Sequence, residues 1–161
     1  MNTKDPKREM LRHTVATLAY RGGKAVRDAP DSFAGFRASE TTRTPGEILS
    51  HIGDLLDWAL AMAKGSEVWR DSNPQAWDQD IKRFHSSLAS LDEYLASTED
   101  LACTCERLFQ GAIADSLTHA GQLAMLRRIA GAAIRGENYS QADIQSGRVG
   151  AEQAAPRREF D

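Results

Sequence analysis

The sequence lacks any long apolar run. No stretch approaches the ~20 consecutive apolar residues that a membrane-spanning helix needs. The polar start, MNTKDPKREM, also lacks the apolar segment of a secretory signal. We therefore expect a cytoplasmic protein with no membrane partner.

Cysteine is almost absent, since Cys103 and Cys105 are the only two and a single residue separates them. They are too close for an ordinary structural disulfide and too few for a disulfide scaffold. Tetrahedral zinc sites normally take four ligands, so two thiolates alone make a poor zinc site. We predict reduced, buried and inert thiols.

Neither sign of charge is in large excess. The chain has 20 Lys and Arg against 23 Asp and Glu, a formal net charge of −3, and neither sign forms a long block. This distribution argues against a dedicated nucleic-acid surface. At 161 residues the chain fits one domain, 1–161, that is long enough to bury a core.

Apolar residues recur at helical spacing in four segments, which predicts an all-α fold, a four-helix bundle. The clearest boundary is Thr44-Pro45-Gly46-Glu47, where Thr44 and Glu47 can form a capping box and Pro45 suits the first helical position. Asn73 followed by Pro74 predicts a second such start. The helices are expected at about 6–29, from Pro45 to about Met62, from Pro74 to about Leu95, and at about 106–130 with Gly131 as the left-handed cap.

Residues 132–161 are polar, with a few spaced apolar anchors. They could not form a core of their own, so we expect a C-terminal extension packed on the bundle or on a partner subunit. Ser140 is expected to start a short helix that ends at Gly147.

The candidate chemistry lies on the fourth helix and on the second. Asp115 and His119 are four residues apart and therefore project from the same helix face. His51 lies at the inner edge of the apolar stripe of helix two. If the two helices face each other, His51, Asp115 and His119 can coordinate one divalent metal ion and leave positions open for water or substrate. Imidazole and carboxylate ligands suit Zn²⁺, Ni²⁺, Fe²⁺ or Mn²⁺.

Each of these residues also has a plain structural interpretation. His51 alone is typical of a histidine that is hydrogen-bonded at the rim of a core. Gln122 could hydrogen-bond a metal ligand or a bound substrate, or it could be a surface amide.

Other polar residues near the predicted site are ambiguous as well. Asp54 and Asp57 could support the metal ligands or be solvated charges. Arg127 and Arg128 could meet an anionic substrate, although a helix C-terminus favours arginine in any case. His85 has no ligand partner at helical spacing and is expected at the surface.

Three stretches together resemble the DinB-like superfamily, which includes metal-dependent hydrolases of the YfiT type. They are TPGEILSH (44–51), DSLTHAGQL (115–123) and LRRIAG (126–131), and the similarity in order and spacing covers about residues 8–131. The resemblance implies a bundle in up-down-down-up order, often dimeric, with a metal held by His51 and by the pair on helix four. The first member of that pair is commonly histidine in the family and is Asp115 here. The change would favour hard divalent ions and make a bound water less acidic.

The same resemblance implies a function. Characterised relatives include thiol transferases in which the metal binds a small thiol, favours its thiolate and presents it to an electrophile. We therefore expect a metal-dependent thiol S-transferase or hydrolase, active as a homodimer on a small-molecule substrate or with a thiol cosubstrate. The alternative is a non-catalytic dimeric bundle that binds a small ligand or has a stress-related structural role.

Overall fold

The second helix begins where the sequence predicts. In the computed structural model, which describes residues 5–160, Thr44 Oγ1 accepts a hydrogen bond from the Glu47 amide at 3.2 Å, and the Glu47 carboxylate accepts one from the Thr44 amide at 2.7 Å. Both halves of the capping box are therefore formed, with Pro45 in the first turn. This cap fixes the start of the helix that carries His51.

The described chain is mainly helical. Its α-helices are α1 (Pro6–Val26), α2 (Pro45–Ala63), α3 (Trp77–Ala96), α4 (Cys105–Leu108) and α5 (Ala114–Ile129). A π-helical turn, Phe109–Ile113, joins α4 to α5, so the three segments form one continuous fourth rod of the bundle. The other elements are a 3₁₀ turn, Tyr139–Gln141, and two antiparallel strands, β1 (Gly136–Glu137) and β2 (Glu159–Phe160).

Contacts between α1 and its two neighbours fix their directions. Arg8, near the start of α1, donates a hydrogen bond to the carbonyl of Leu95 near the end of α3, so these two helices are antiparallel. Lys7 pairs with Glu106 at the start of the fourth rod. Arg127, near the end of that rod, bonds the carbonyl of Ala25, so α1 and the fourth rod run parallel.

Contacts made by α2 complete the arrangement. Asp54 pairs with Arg83, and Asp57 one turn later accepts from Ser87, so α2 and α3 run in the same direction. His51 lies near Asp115 on α5, whereas the later Trp58 lies against Gly111 of the π-helical turn, so α2 and the fourth rod are antiparallel. The structure confirms the all-α four-helix bundle, and the helix directions are up-down-down-up.

All four rods contribute to one apolar core. Buried apolar residues remove apolar surface from water, which is the main favourable term in folding. The largest fully buried side chains are Leu18, Phe33, Leu49, Ile52, Leu56, Phe84, Leu88, Leu91, Leu95, Leu108, Ile113 and Leu123. Phe33 belongs to the connection between α1 and α2 and packs edge-on against Trp77, with ring centroids 5.6 Å apart. This anchor holds the connection that leads into α2.

The structure departs from the predicted helices at α3, within the fourth rod and in the extension. Helix α3 starts at Trp77 rather than at Pro74, because the carboxylate of Asp80 accepts the Gln75 amide and keeps residues 74–76 outside the helix. The fourth rod is interrupted by the π-helical turn. In the extension, the helix predicted from Ser140 to Gly147 is reduced to a 3₁₀ turn. The positive φ of +79° at Gly131 does confirm the predicted end of the fourth rod.

The C-terminal extension contacts the bundle of its own chain. Glu137 accepts hydrogen bonds from Tyr20 and Lys24 of α1, and Glu159 accepts a second bond from Lys24. His85 lies partly buried against the extension and bonds the carbonyl of Val149 at 3.1 Å. The prediction of a surface position for His85 is therefore wrong, because the extension covers this part of α3.

Candidate metal centre

Helix α2 presents His51 to the fourth rod. The side chain is 18% exposed and lies edge-on against Trp69 of the α2–α3 connection, with ring centroids 5.7 Å apart. Trp69 in turn packs edge-on against Trp58. The imidazole of His51 is thus held between the bundle and an aromatic wall.

Helix α5 presents Asp115 and His119 one turn apart. It follows directly on the π-helical turn. Such turns are frequent at functional sites, and the inserted residue rotates the side chains that follow around the helix axis. The residues of α5 buried in the core are Ser116, Ala120, Leu123, Leu126 and Arg127, whereas Leu117 is only partly buried. The buried face of α5 therefore runs through Ser116, Ala120 and Leu123.

The structure brings the three predicted ligands together. His51 Nε2 lies 3.7 Å from one carboxylate oxygen of Asp115, and His119 Nε2 lies 3.5 Å from the other. The two imidazole rings are 4.8 Å apart and nearly perpendicular. We call these residues the His-Asp-His cluster. One potential ligand atom from each of the three residues lies within 4.8 Å of the others.

Two of these spacings are close to those found around a metal ion. Ligand bonds of about 2.1 Å at tetrahedral angles place ligand atoms roughly 3.4 Å apart, close to the two observed separations between imidazole and carboxylate. They are longer than the ~2.7–3.2 Å of an N–H···O hydrogen bond. The cluster could therefore hold a divalent ion, and its members are not hydrogen-bonded tightly to one another.

Gln122 fixes the orientation of His119, one of the three candidate ligands. Its side-chain oxygen lies 2.7 Å from His119 Nδ1. Because an amide oxygen only accepts hydrogen bonds, Nδ1 is the donor, and in the neutral ring the lone pair is then on Nε2, which lies near Asp115. A partner of this kind on the far nitrogen is typical of metal-binding histidines. Gln122 is thus hydrogen-bonded to a residue that is predicted to be a metal ligand.

The surroundings favour the uncharged form of His51. Burial lowers the pKa of His51 below its ordinary value, and the charges of His119 and Arg43 lower it further, while Asp115 acts in the opposite direction. A metal ligand must be the neutral imidazole. The environment of His51 therefore favours the form that binds metal.

Two clefts meet at the cluster. The polar cleft, about 400 Å³, includes His51, Asp54, Asp71 and Ser72 in its wall. The apolar cleft, about 670 Å³, has His119 at one side and an aliphatic wall of Ile48, Met125 and Leu126. Thr42 and Arg43 line both clefts. The Asp115 side chain is 47% exposed, so the cluster is open to solvent.

Several polar residues that the sequence marks as ambiguous have structural roles. Asp54 is buried and accepts from Arg83 and from the Ser72 amide, so it joins α2 to α3 and to the following connection. Asp57 accepts from Arg83 and from Ser87. Neither carboxylate has a hydrogen bond to the His-Asp-His cluster within the described chain.

Arg127 is likewise a structural residue. It is buried, and its guanidinium donates to the carbonyls of Ala25, Arg27 and Ala132. These bonds tie the end of the fourth rod to the end of α1. The guanidinium is therefore not available to a substrate.

The two cysteines are half-buried free thiols. Burial raises the pKa of both Cys103 and Cys105, so both are protonated at neutral pH. A protonated thiol is neither a metal ligand nor a strong nucleophile, which agrees with the predicted inert role.

Two residues beside the cluster, Arg43 and Trp69, were not predicted from the sequence. Both lie in connections without regular structure, where the periodicity of the sequence does not indicate which way a side chain points. One available signal was that Arg43 directly precedes the capping box of α2, which fixes its position relative to His51.

No family model matches the chain, and no curated protein or solved structure is significantly similar to it. The helices of residues 5–160 are too short or too polar to cross a membrane. The fold and the site together therefore define a class of protein, a four-helix bundle with a His-Asp-His cluster that could hold a metal ion.

Proposed function

We propose that this protein is a divalent-metal-dependent enzyme of the DinB-like superfamily, a thiol S-transferase or a hydrolase. The observation that carries the proposal is the His-Asp-His cluster on facing helices, with its ligand atoms within 4.8 Å of one another at the meeting point of two clefts. The up-down-down-up order, with one ligand on α2 and two on α5, supports the family assignment.

The residues of the cluster have separate roles in this proposal. His51 and His119 supply neutral nitrogen donors, and Asp115 supplies an anionic oxygen. Gln122 holds His119 in the tautomer that leaves Nε2 free. A bound divalent ion would polarise a thiol or a water and favour its deprotonated form. Because imidazole and carboxylate ligands suit each of them, Zn²⁺, Ni²⁺, Fe²⁺ and Mn²⁺ are all candidate ions.

The geometry favours this function over a non-catalytic bundle with a polar network. A network would place its members at hydrogen-bonding distance, whereas the imidazoles stand 3.5 and 3.7 Å from Asp115. The resemblance further supports a cytoplasmic homodimer that acts on a small molecule or uses a thiol cosubstrate.

Elemental analysis of purified protein tests the metal site. We expect about one divalent ion per chain in the wild type, because three ligands are enough for a catalytic site with open positions. His119→Ala should abolish metal retention. His13→Ala, which removes an exposed histidine of α1, should leave it unchanged. Undiminished metal in His119→Ala would refute the assignment of the site.

A screen of metal-loaded protein tests the reaction. Small thiols are paired with electrophiles, and ester and amide substrates are offered without thiol. We expect turnover in the wild type that His119→Ala lacks. A metal-loaded wild type without turnover in either arm would instead support the ligand-binding or structural alternative.

A further inference from the structure

Arg43 stands beside the proposed metal site and faces both clefts. Its positive charge lies near enough to His51 to affect the imidazole. Within the described chain its guanidinium has no hydrogen bond and no ion pair with a carboxylate. An arginine at a cleft without a partner has its full donor capacity available for a ligand.

The backbone around Arg43 is nevertheless held firmly. On one side, Arg37 donates to the carbonyl of Thr42 at 2.5 Å, and the Thr42 hydroxyl is bonded to the backbone of Ser39. On the other side, Thr44 caps α2. The connection therefore fixes the backbone from which Arg43 projects, so that ligand binding has to order only its side chain.

The apolar cleft has the complementary chemistry. No acidic residue is among its described lining residues, and Arg43 is the permanently charged residue of that lining. Ile48, Met125 and Leu126 give it an aliphatic wall, and a volume of about 670 Å³ suits a small organic ligand. The polar cleft, by contrast, contains Asp71 and Asp54. An anion is therefore best accommodated on the apolar side.

We propose that Arg43 binds the oxyanion of a small amphiphilic substrate, a carboxylate or a phosphate, whose apolar part occupies the apolar cleft. This inference rests on the proposed function and names its substrate class. The planar guanidinium can bond two oxygens of either anion at once. His119 forms part of the same wall, so the ligand lies next to the His-Asp-His cluster.

Calorimetric titration of the full chain with matched amphiphiles tests this inference. Octanoate, octyl phosphate, octanol and octylammonium share one apolar chain and differ in the head group. The titrations use metal-free protein, so that direct binding of the carboxylate to a metal cannot contribute. We expect at least one of the two anions to bind about tenfold or more tightly than octanol and octylammonium, as one charge-assisted pair warrants.

Variants assign the effect to Arg43. Arg43→Gln should abolish the preference for the anion, and Arg43→Lys should restore it in part, because lysine keeps the charge without the planar fork. Arg158→Gln, an exposed arginine of the extension, makes the same change in net charge and should leave the preference intact. Metal content measured on the same variants should not change.

Two outcomes would overturn the inference: equal binding of anion and alcohol, or a preference that survives in Arg43→Gln. A wild type that binds no probe, together with a change of oligomeric state in Arg43→Gln, would assign the cleft to a second copy of the chain and also overturn it. Because metal retention is measured separately, failure of the metal site and failure of Arg43 remain distinguishable.

Discussion

The two polar clusters of this protein use similar side chains for different ends. Tyr20, Lys24, Glu137 and Glu159, here called the tail anchor, join the C-terminal extension to α1 by hydrogen bonds of 2.5 to 2.8 Å. The Lys24 side chain is 10% exposed and that of Glu137 is fully buried. In the His-Asp-His cluster the corresponding separations are 3.5 and 3.7 Å, and the Asp115 side chain is 47% exposed.

The difference distinguishes polar groups that stabilise the fold from polar groups that remain available to a ligand. Burial alone would lower the pKa of Lys24, yet the two carboxylates raise it, so the ion pair is maintained inside the fold. Both carboxylates of the tail anchor already accept hydrogen bonds from Tyr20 or Lys24. In the His-Asp-His cluster the imidazoles lie 3.5 and 3.7 Å from the Asp115 carboxylate, longer than the bonds of the tail anchor, so an added ion has less to displace.

Breaking the tail anchor should have the largest effect on stability. Lys24→Met leaves the buried Glu137 carboxylate with Tyr20 as its remaining partner, and an uncompensated buried charge costs about 3 kcal/mol or more. Urea denaturation of metal-free protein measures the free energy of unfolding. Metal retention by the folded variant should equal that of the wild type, because the His-Asp-His cluster is untouched.

The exposed pair formed by Lys82 and Asp78 gives the matched control for this variant. Lys82→Met removes the same charge from the surface, where ion pairs contribute little, and should cost far less. Equal losses of stability in the two lysine variants would contradict a special role for the tail anchor.

Removing the Gln122 side chain should weaken metal binding and leave the stability of the fold almost unchanged, the reverse of the effect of Lys24→Met. Gln122→Ala frees Nδ1 of His119, and loss of such a supporting bond weakens metal affinity about 10- to 100-fold, or roughly 1.4 to 2.7 kcal/mol. The stability of the metal-free protein should change little, because Gln122 is exposed. Competition titration with a chelating dye measures the affinity.

The control for Gln122 is Gln79→Ala, which removes an exposed glutamine from α3. It should leave the metal affinity unchanged. A Gln122→Ala protein with wild-type affinity but reduced stability would make the His-Asp-His cluster structural, like the tail anchor.

The fold was predictable wherever the signal is local. The capping box at Thr44 and Glu47 forms because the four residues contain all the groups it needs, and the positive φ at Gly131 follows from the freedom of glycine. The start of α3 was not predictable, because the competing acceptor, Asp80, acts through a bond that propensities do not describe. The π-helical turn has no sequence signature in FQGAI.

The candidate site was predictable in part for the same reason. Asp115 and His119 share a face by helix geometry, and His51 joins them because the helix order brings α2 against α5. Arg43 was missed because a loop places it. The position of His85 was missed because it depends on where the extension lies, which no periodicity within α3 records.

The smallest expected effect concerns His85, which the extension covers, whereas the His-Asp-His cluster is open to solvent. Burial lowers the pKa of His85 in the folded protein, partly offset by its bond to the Val149 carbonyl. The unfolded chain therefore takes up a proton as the pH falls through about 6.5, whereas the folded state does so only at lower pH, so stability is lost on the acid side. His85→Gln should lessen that loss by at most about 1.4 kcal/mol per pH unit. Urea denaturation of metal-free protein between about pH 7.5 and 5.5, the range in which an ordinary histidine titrates, measures this loss of stability. The exposed His13→Gln is the control for removing a histidine. An unchanged pH dependence in His85→Gln would mean that the extension does not exclude the charged imidazole, and that His85 is as open to solvent as the His-Asp-His cluster.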